Sequence, residues 1–273
     1  GCKKLASRFN SSNRSKMVSE SIKIHFPKSI IKGTVHLDGS KSISNRALIM
    51  KALAGNAVIS LDHLSNSKDT QLMNSLLQSS DTVLDAGAAG TTFRFLTAFL
   101  AISTKEVILT GSERMKQRPI GELVDTLNTM GANIEYLEKS GYPPLKFHPV
   151  DLNLLSRKVS IKSTISSQYI SALLLIGPAM ANGLELTMIG EVISRPYIEM
   201  TLAMMSHFGI ESHWAGDTIT IEPQLYKSNH LFVEGDWSAA SYYYSLAAIA
   251  EEVDLILYGV SQNSLQGDAV IAE

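Results

Sequence analysis

Leu37-Asp-Gly-Ser-Lys-Ser-Ile-Ser-Asn-Arg-Ala-Leu-Ile-Met-Lys-Ala-Leu-Ala54 is the stretch whose reading decides the fold. Ahead of it, Thr34 and Val35 within Gly33 to Leu37 predict a short strand that enters a turn at Gly39. Behind the turn, Ile43, Ala47, Met50 and Ala54 recur at i, i+4, i+7 and i+11, which predicts one apolar helical stripe. Ser40 or Ser42 can cap the start of that helix. Such a turn aims free backbone N–H groups and the positive end of a helix at one spot, which favours an anion. Ser42 and Arg46 lie four apart and share a face, with Lys41 at the mouth. The bland alternative makes Lys41 and Arg46 ordinary solvated charges on an exposed helix end. The stretch holds neither a Walker-type Gly-Lys-Ser/Thr spacing nor Gly-x-Gly-x-x-Gly, so nucleotide motifs do not explain it.

Outward from this stretch, the order strand, polar turn, helix, strand recurs. The first copy ends with Ala57 to Leu61. A second runs through Thr82 to Leu84, the turn Asp85 to Gly90, a helix from Thr91, and Val107 to Thr110. A third runs from Val159 to Ile161 through Ser163 to Ser167, a helix from Gln168, and Leu184 to Ile189. A fourth begins at Phe232, turns at Glu234-Gly235-Asp236, and carries a helix from Ser238 into Val253 to Leu257. Two further helices have apolar stripes, Ile120 to Met130 and Ile198 to Phe208, each opened by Arg-Pro and closed by Gly. Hairpins follow them, Asn133 to Glu138 with Pro144 to His148, and Glu211 to Trp214 with Asp217 to Glu222. The repeat is therefore β-α-β-α-β-β, whole twice and partial at either end. The fourth copy is too short to close a core, so the chain reads as incomplete at its C-terminus.

A length of 273 residues, 45% hydrophobic and 18% charged, describes a globular chain of one large or two moderate domains. A net charge of −2 argues against a nucleic-acid binder. Cys2 stands alone and the seven His are scattered, so no disulfide, thiol cluster or metal site is expected. The longest apolar run, Ile170 to Ala181, falls short of a membrane span. Residues 1–16, with Lys3, Lys4, Arg8, Arg14 and Lys16 and no acid, read as a leader or cloning remnant without order, or as part of an organelle-targeting peptide.

The polar turns occupy equivalent places in each copy, so their side chains are expected at one surface. Copy one contributes Lys41, Ser42 and Arg46. Copy two adds Gly90, Thr91, Arg94 and then Arg118. Copy three adds Ser166, Ser167 and Gln168, with Ser194 and Tyr197 at its second turn. Hydroxyls at helix starts with convergent Arg and Lys suit phosphate and carboxylate groups. Taken singly, Ser166 and Ser167 could be a plain cap and Arg94 a buried structural arginine.

Gly39-Ser-Lys-Ser-Ile-Ser-Asn-Arg-Ala, Ala89-Gly-Thr-Thr-Phe-Arg, Leu109-Thr-Gly-Ser-Glu-Arg-Met-Lys-Gln-Arg-Pro-Ile-Gly, Ser166-Ser-Gln-Tyr, Ser194-Arg-Pro-Tyr-Ile, Val233-Glu-Gly-Asp and Ser264-Leu-Gln-Gly-Asp occur in this order. Together they resemble the 5-enolpyruvylshikimate-3-phosphate synthase family, over roughly the first three-fifths of a member. The resemblance implies an α/β fold, the enolpyruvyl transferase-like inside-out α/β barrel, with one half complete and the second partial. By it, 17–36 is an N-terminal strand of the second half, 37–230 a complete repeat domain, and 231–273 the start of the second half. It implies transfer of the enolpyruvyl group of phosphoenolpyruvate to the 5-hydroxyl of shikimate 3-phosphate in the shikimate pathway, with release of phosphate and without metal or cofactor. The full-length protein is then expected to be a cytoplasmic monomer that is a target of glyphosate.

Carried over by position, Lys41, Ser42 and Arg46 would hold the shikimate carboxylate and hydroxyl, with Lys41 also reaching phosphoenolpyruvate. Ser166, Ser167 and Ser194 would bind the 3-phosphate, helped by Gln168 and Tyr197. Gly90, Arg118 and Gln168 would line the phosphoenolpyruvate pocket, and Lys41 and Arg118 would act at the reacting centre. The general acid and base belong to the part of the family beyond this chain, which alone is expected to turn over negligibly. Ala88 and Phe95 replace a frequent Asn and Pro, which puts glyphosate potency in question; Asp38 replaces a frequent Pro, a mild change. One rival is the enolpyruvyl transferase acting on UDP-N-acetylglucosamine, but Met115-Lys116-Gln117-Arg118 lacks the Cys usual there. A non-catalytic phosphate-ligand-binding fragment is the other.

Overall fold

The structure, a computed structural model, describes residues 30–163, 166–192 and 194–273; residues 1–16 and 17–29, and hence the leader reading, lie outside the described residues. The described residues open with β1 (Ile30–His36), α1 (Lys41–Leu53), β2 (Ile59–Asp62) and α2 (Lys68–Gln78). A first complete unit follows: β3 (Val83–Asp85), α3 (Gly90–Ala101), β4 (Val107–Thr110), the short α4 (Glu113–Lys116), α5 (Gly121–Met130), β5 (Ile134–Tyr136) and β6 (Leu145–Phe147). The second comprises β7 (Lys158–Lys162), α6 (Ser167–Ile176), β8 (Leu184–Ile189), α7 (Arg195–His207), β9 (His213–Ala215) and β10 (Thr218–Ile221). The described chain closes with β11 (Asn229–Phe232), α8 (Trp237–Ile249) and β12 (Glu252–Tyr258).

The two complete units share one topology. Their sheets run β3-β4-β6-β5 and β7-β8-β10-β9, the first two strands parallel around a crossover helix and the rest antiparallel. Among the described residues no sheet closes into a barrel, and the four sheets are open. Helices α1, α3 and α6 pack on one another at the centre. Tyr169 through Ile176 of α6 are all buried, the pattern of a helix apolar on every side. The sheets lie outside them: β7 alternates exposed and buried residues along its length.

Two local expectations are corrected. α1 shows no single stripe: Ile43 through Met50 are all buried, because α2, α3, α6 and α7 surround it. Two of its polar side chains accept there: Ser44 Oγ from the Ser65 N–H at 2.9 Å, and Asn45 Oδ1 from Thr70 Oγ1 at 2.8 Å, while Asn45 Nδ2 is buried without a partner. Ser40 occupies the cap position, yet its Oγ caps nothing and is buried without a partner. Asp236 supplies the cap instead. Its Oδ2 accepts from the Lys41 N–H at 3.1 Å, while Oδ1 accepts from the Ala239 N–H of α8 at 3.1 Å.

Nor does the strand that enters the Gly39 turn pair within its own unit. β1 runs parallel to β12, and β2 runs parallel to β11, so two β-α-β segments exchange their first strands. The two crossing segments lie side by side: the Ser40 N–H donates to the Glu234 carbonyl at 2.8 Å and the Asp236 N–H to the Asp38 carbonyl at 2.9 Å. Gly39 is required by this approach, because a Cβ there would sit 1.9 Å from the His63 carbonyl oxygen.

One carboxylate caps two helices across this crossing, so Asp236→Ala is expected to lower stability by about 1–2 kcal/mol for each cap lost. Asp236→Asn keeps one acceptor oxygen and should fall between. Denaturant unfolding checks this; an unchanged midpoint for the Ala variant would contradict the role.

Candidate active site

Six helices present their first turns or caps to one cavity of about 600 Å³. α1 brings Lys41 and Ser42, α3 brings Thr91, and α6 brings Ser167 and Gln168. α7 brings Tyr197, α8 brings Ser238, and α2 brings its cap Ser67. Each start aims the positive end of a helix dipole at the cavity, which favours negative charge there before any side chain is counted.

Arg46 lines the same cavity from deeper in α1 and is only 2% exposed, which excludes the solvated-charge alternative for it. Its Nε donates to Thr201 Oγ1 at 2.7 Å and its Nη1 to the Ser42 carbonyl at 2.9 Å. Nη2 donates to Ser171 Oγ at 3.1 Å and to the Tyr197 carbonyl at 3.4 Å. All four acceptors are uncharged. Burial pulls the guanidinium pKa down to about 10, with Tyr197 opposing, and it remains a cation at neutral pH. A guanidinium has five N–H donors; four are engaged here, which leaves one on Nη1 uncommitted among the described residues. Lys41 is half-exposed, with Nζ 3.4 Å from Asp69 Oδ2.

Of the expected site residues, Lys41, Ser42, Arg46, Ser167, Gln168 and Tyr197 line this cavity together. Burial raises the Tyr197 hydroxyl pKa, so it stays a neutral donor. Gly90 and Arg118 lie in a small adjoining hollow with Arg94. Arg94 hydrogen-bonds Gln168 Oε1 and so joins the hollow to the cavity. Desolvation, then the neighbouring Arg94 and Arg114, lower the pKa of Arg118, the signature of cations gathered without equal negative charge. Ser166 acts as the cap of α6, its Oγ accepting from the Gln168 N–H at 3.3 Å. Ser194 is not brought to the cavity wall: it is exposed, in a left-handed conformation (φ 62°) at the start of α7.

The cavity also holds Asp38, Ser65, Ser67, Asp236 and Ser238, none of them expected as a site residue, although the sequence places Asp236 in a polar turn and Ser238 at a helix start. Ser67 precedes α2 at its cap position, so the polar-turn rule that found Ser42 and the turn at Asp236 reaches it as well. Among the described residues, no group of three or more His, Cys, Asp and Glu is placed to hold a metal ion, and no helix is long and apolar enough to cross a membrane.

A family model described as EPSP synthase (3-phosphoshikimate 1-carboxyvinyltransferase) matches residues 27–81 and 75–273. A 3-phosphoshikimate 1-carboxyvinyltransferase of Bacteroides fragilis is 47% identical over 245 residues, covering 89% of this chain and 59% of that protein. One from Haemophilus influenzae is 38% identical over 278 residues, covering 90% and 63%. Among solved structures, EPSP synthase from Acinetobacter baumannii superposes with a TM-score of 0.71 at 21% identity, covering 86% of this chain and 57% of that one, a likeness of fold. The chain thus spans about three-fifths of the curated relatives it matches.

Proposed function

Since the chain belongs to the EPSP synthase (3-phosphoshikimate 1-carboxyvinyltransferase) family, we propose that in a polypeptide of its relatives' length it transfers the enolpyruvyl group of phosphoenolpyruvate to the 5-hydroxyl of shikimate 3-phosphate. The observation that carries this reading is the meeting of six helix starts with Lys41 and Arg46 at one cavity. Both substrates are polyanions. Fixed cations and helix starts offset their mutual repulsion and bring the reacting atoms together.

Arg46, Ser42 and Lys41 take the shikimate carboxylate and hydroxyl; Ser167, Gln168 and Tyr197 take the 3-phosphate, with Ser166 and Ser194 at its edge. Gly90 and Arg118 take phosphoenolpyruvate, reached also by Lys41 and Gln168. The 5-hydroxyl oxygen adds to C2 of phosphoenolpyruvate as C3 gains a proton; loss of a proton from C3 then expels phosphate and restores the double bond. A general acid and base serve these steps, and we assign them to carboxylates of the family outside residues 1–273. The protein works without metal or cofactor, as a monomer in the cytoplasm, and has no nucleic-acid partner.

A phosphate-release assay with both substrates tests the reading. A polypeptide of the relatives' length is expected to release one phosphate per enolpyruvyl product, and residues 1–273 alone to turn over negligibly. No product from the longer form would overturn the function; robust turnover by residues 1–273 would overturn the placement of the acid and base.

A further inference from the structure

Phe95 lies on α3 one residue past Arg94, is 1% exposed, and does not line the cavity. Its ring faces the Arg46 guanidinium, whose Cζ lies 5.4 Å from the ring centroid; the Tyr197 ring flanks the same group at 5.9 Å. Both distances fall within the range of a cation–π contact, which is strongest where water is excluded. Arg46 has neutral hydrogen-bond acceptors and, in place of a carboxylate, the negative face of a ring. A carboxylate partner would neutralise the cation and compete with an anionic ligand. A ring stabilises the buried charge and leaves its net value intact.

The geometry points to Phe95 as a positioning residue: its ring holds Arg46 desolvated, charged and oriented for the carboxylate of the cavity's ligand. This rests on the assignment of Arg46 to shikimate 3-phosphate. A second pair of this kind lies at the next interface, between α3 and α6, where the Arg94 Cζ is 5.5 Å from the Tyr169 ring. Arg46 and Arg94 are thus each backed by a ring from a neighbouring helix. Because the Phe95 ring does not line the cavity and meets a group of it at Arg46, its influence should reach one substrate and spare the other.

The test keeps the shape of the ring and changes its electrons. In the full-length protein, phenylalanines carrying one, two and three fluorines are placed at position 95, and KM for each substrate and kcat are measured. The KM for shikimate 3-phosphate is expected to climb with each fluorine, to a total of about threefold to tenfold, the size that a desolvated cation–π contact supports. The KM for phosphoenolpyruvate and kcat should stay within about twofold. A flat fluorine series, with Arg46→Lys still weakening shikimate 3-phosphate binding, would overturn the role of Phe95 alone. If Arg46→Lys leaves that binding unchanged, the assignment of Arg46 fails and the role of Phe95 fails with it.

Discussion

Arg46→Leu should weaken shikimate 3-phosphate binding by about a hundredfold or more and leave the protein folded. The loss follows from removal of a fixed, desolvated cation whose free N–H faces no protein partner: a hydrogen bond to a charged group contributes about 1.5–3 kcal/mol, and electrostatic attraction in the cavity adds to it. The fold survives for reasons visible around the side chain. Burial of the guanidinium opposes folding, as its lowered pKa records, and an apolar side chain removes that penalty. The acceptors left behind have other partners. Thr201 Oγ1 already donates to the Tyr197 carbonyl at 2.8 Å and lies 3.0 Å from Ser171 Oγ, whose hydroxyl can donate to it, and the Ser42 carbonyl lies within α1. Calorimetric titration with shikimate 3-phosphate and a parallel unfolding curve check both halves. Unaltered affinity in a folded variant would refute the assignment of Arg46.

The second large effect concerns the other substrate. A Cβ at Gly90 would lie 2.4 Å from Nη1 of Arg118 and 2.8 Å from its Cζ and Nη2. What must move is the end of a long side chain rather than backbone, so Gly90→Ala folds. Ala in a helical first turn even gains a few tenths of a kcal/mol over Gly. Arg118, however, is displaced. KM for phosphoenolpyruvate is expected to rise about tenfold or more, while that for shikimate 3-phosphate changes little. Arg118→Ala should produce a comparable loss, and the double variant should lose less than the sum, because both changes remove the same guanidinium placement. Steady-state kinetics of the three variants decides it: additive effects, or an unchanged phosphoenolpyruvate KM, would place Arg118 elsewhere in the reaction.

The parts of this site legible in the sequence are those encoded in local spacing. Polar turns before apolar helical runs located the starts of α1, α3, α6 and α8 to within a residue or so, and with them Lys41, Ser42, Ser167 and Gln168. The recurrence of β-α-β-α-β-β foretold the shared topology of the two four-stranded sheets. What escaped depends on partners far along the chain. The cap of α1 comes from Asp236, 195 residues away, so no inspection of Ser40 could reveal it. β1 has the local pattern of a first strand, but its partner β12 is chosen by the exchange at the crossing. α2 went unnamed because its apolar residues, Leu72, Met73, Leu76 and Leu77, make a shorter stripe than those of its neighbours, and the cap Ser67 went with it. Arg46 was placed on the correct face, while its burial arises from four surrounding helices that one helix's periodicity does not encode.

The convergence of helix starts on a polyanion is tested most directly by a crystal structure of the full-length protein with shikimate 3-phosphate bound. The ligand is expected in the cavity bounded by α1, α6 and α7, its carboxylate on Arg46 and its phosphate at the start of α6 beside Ser167 and Gln168. A ligand seated outside that cavity, with Arg46 and Ser167 untouched, would contradict the account.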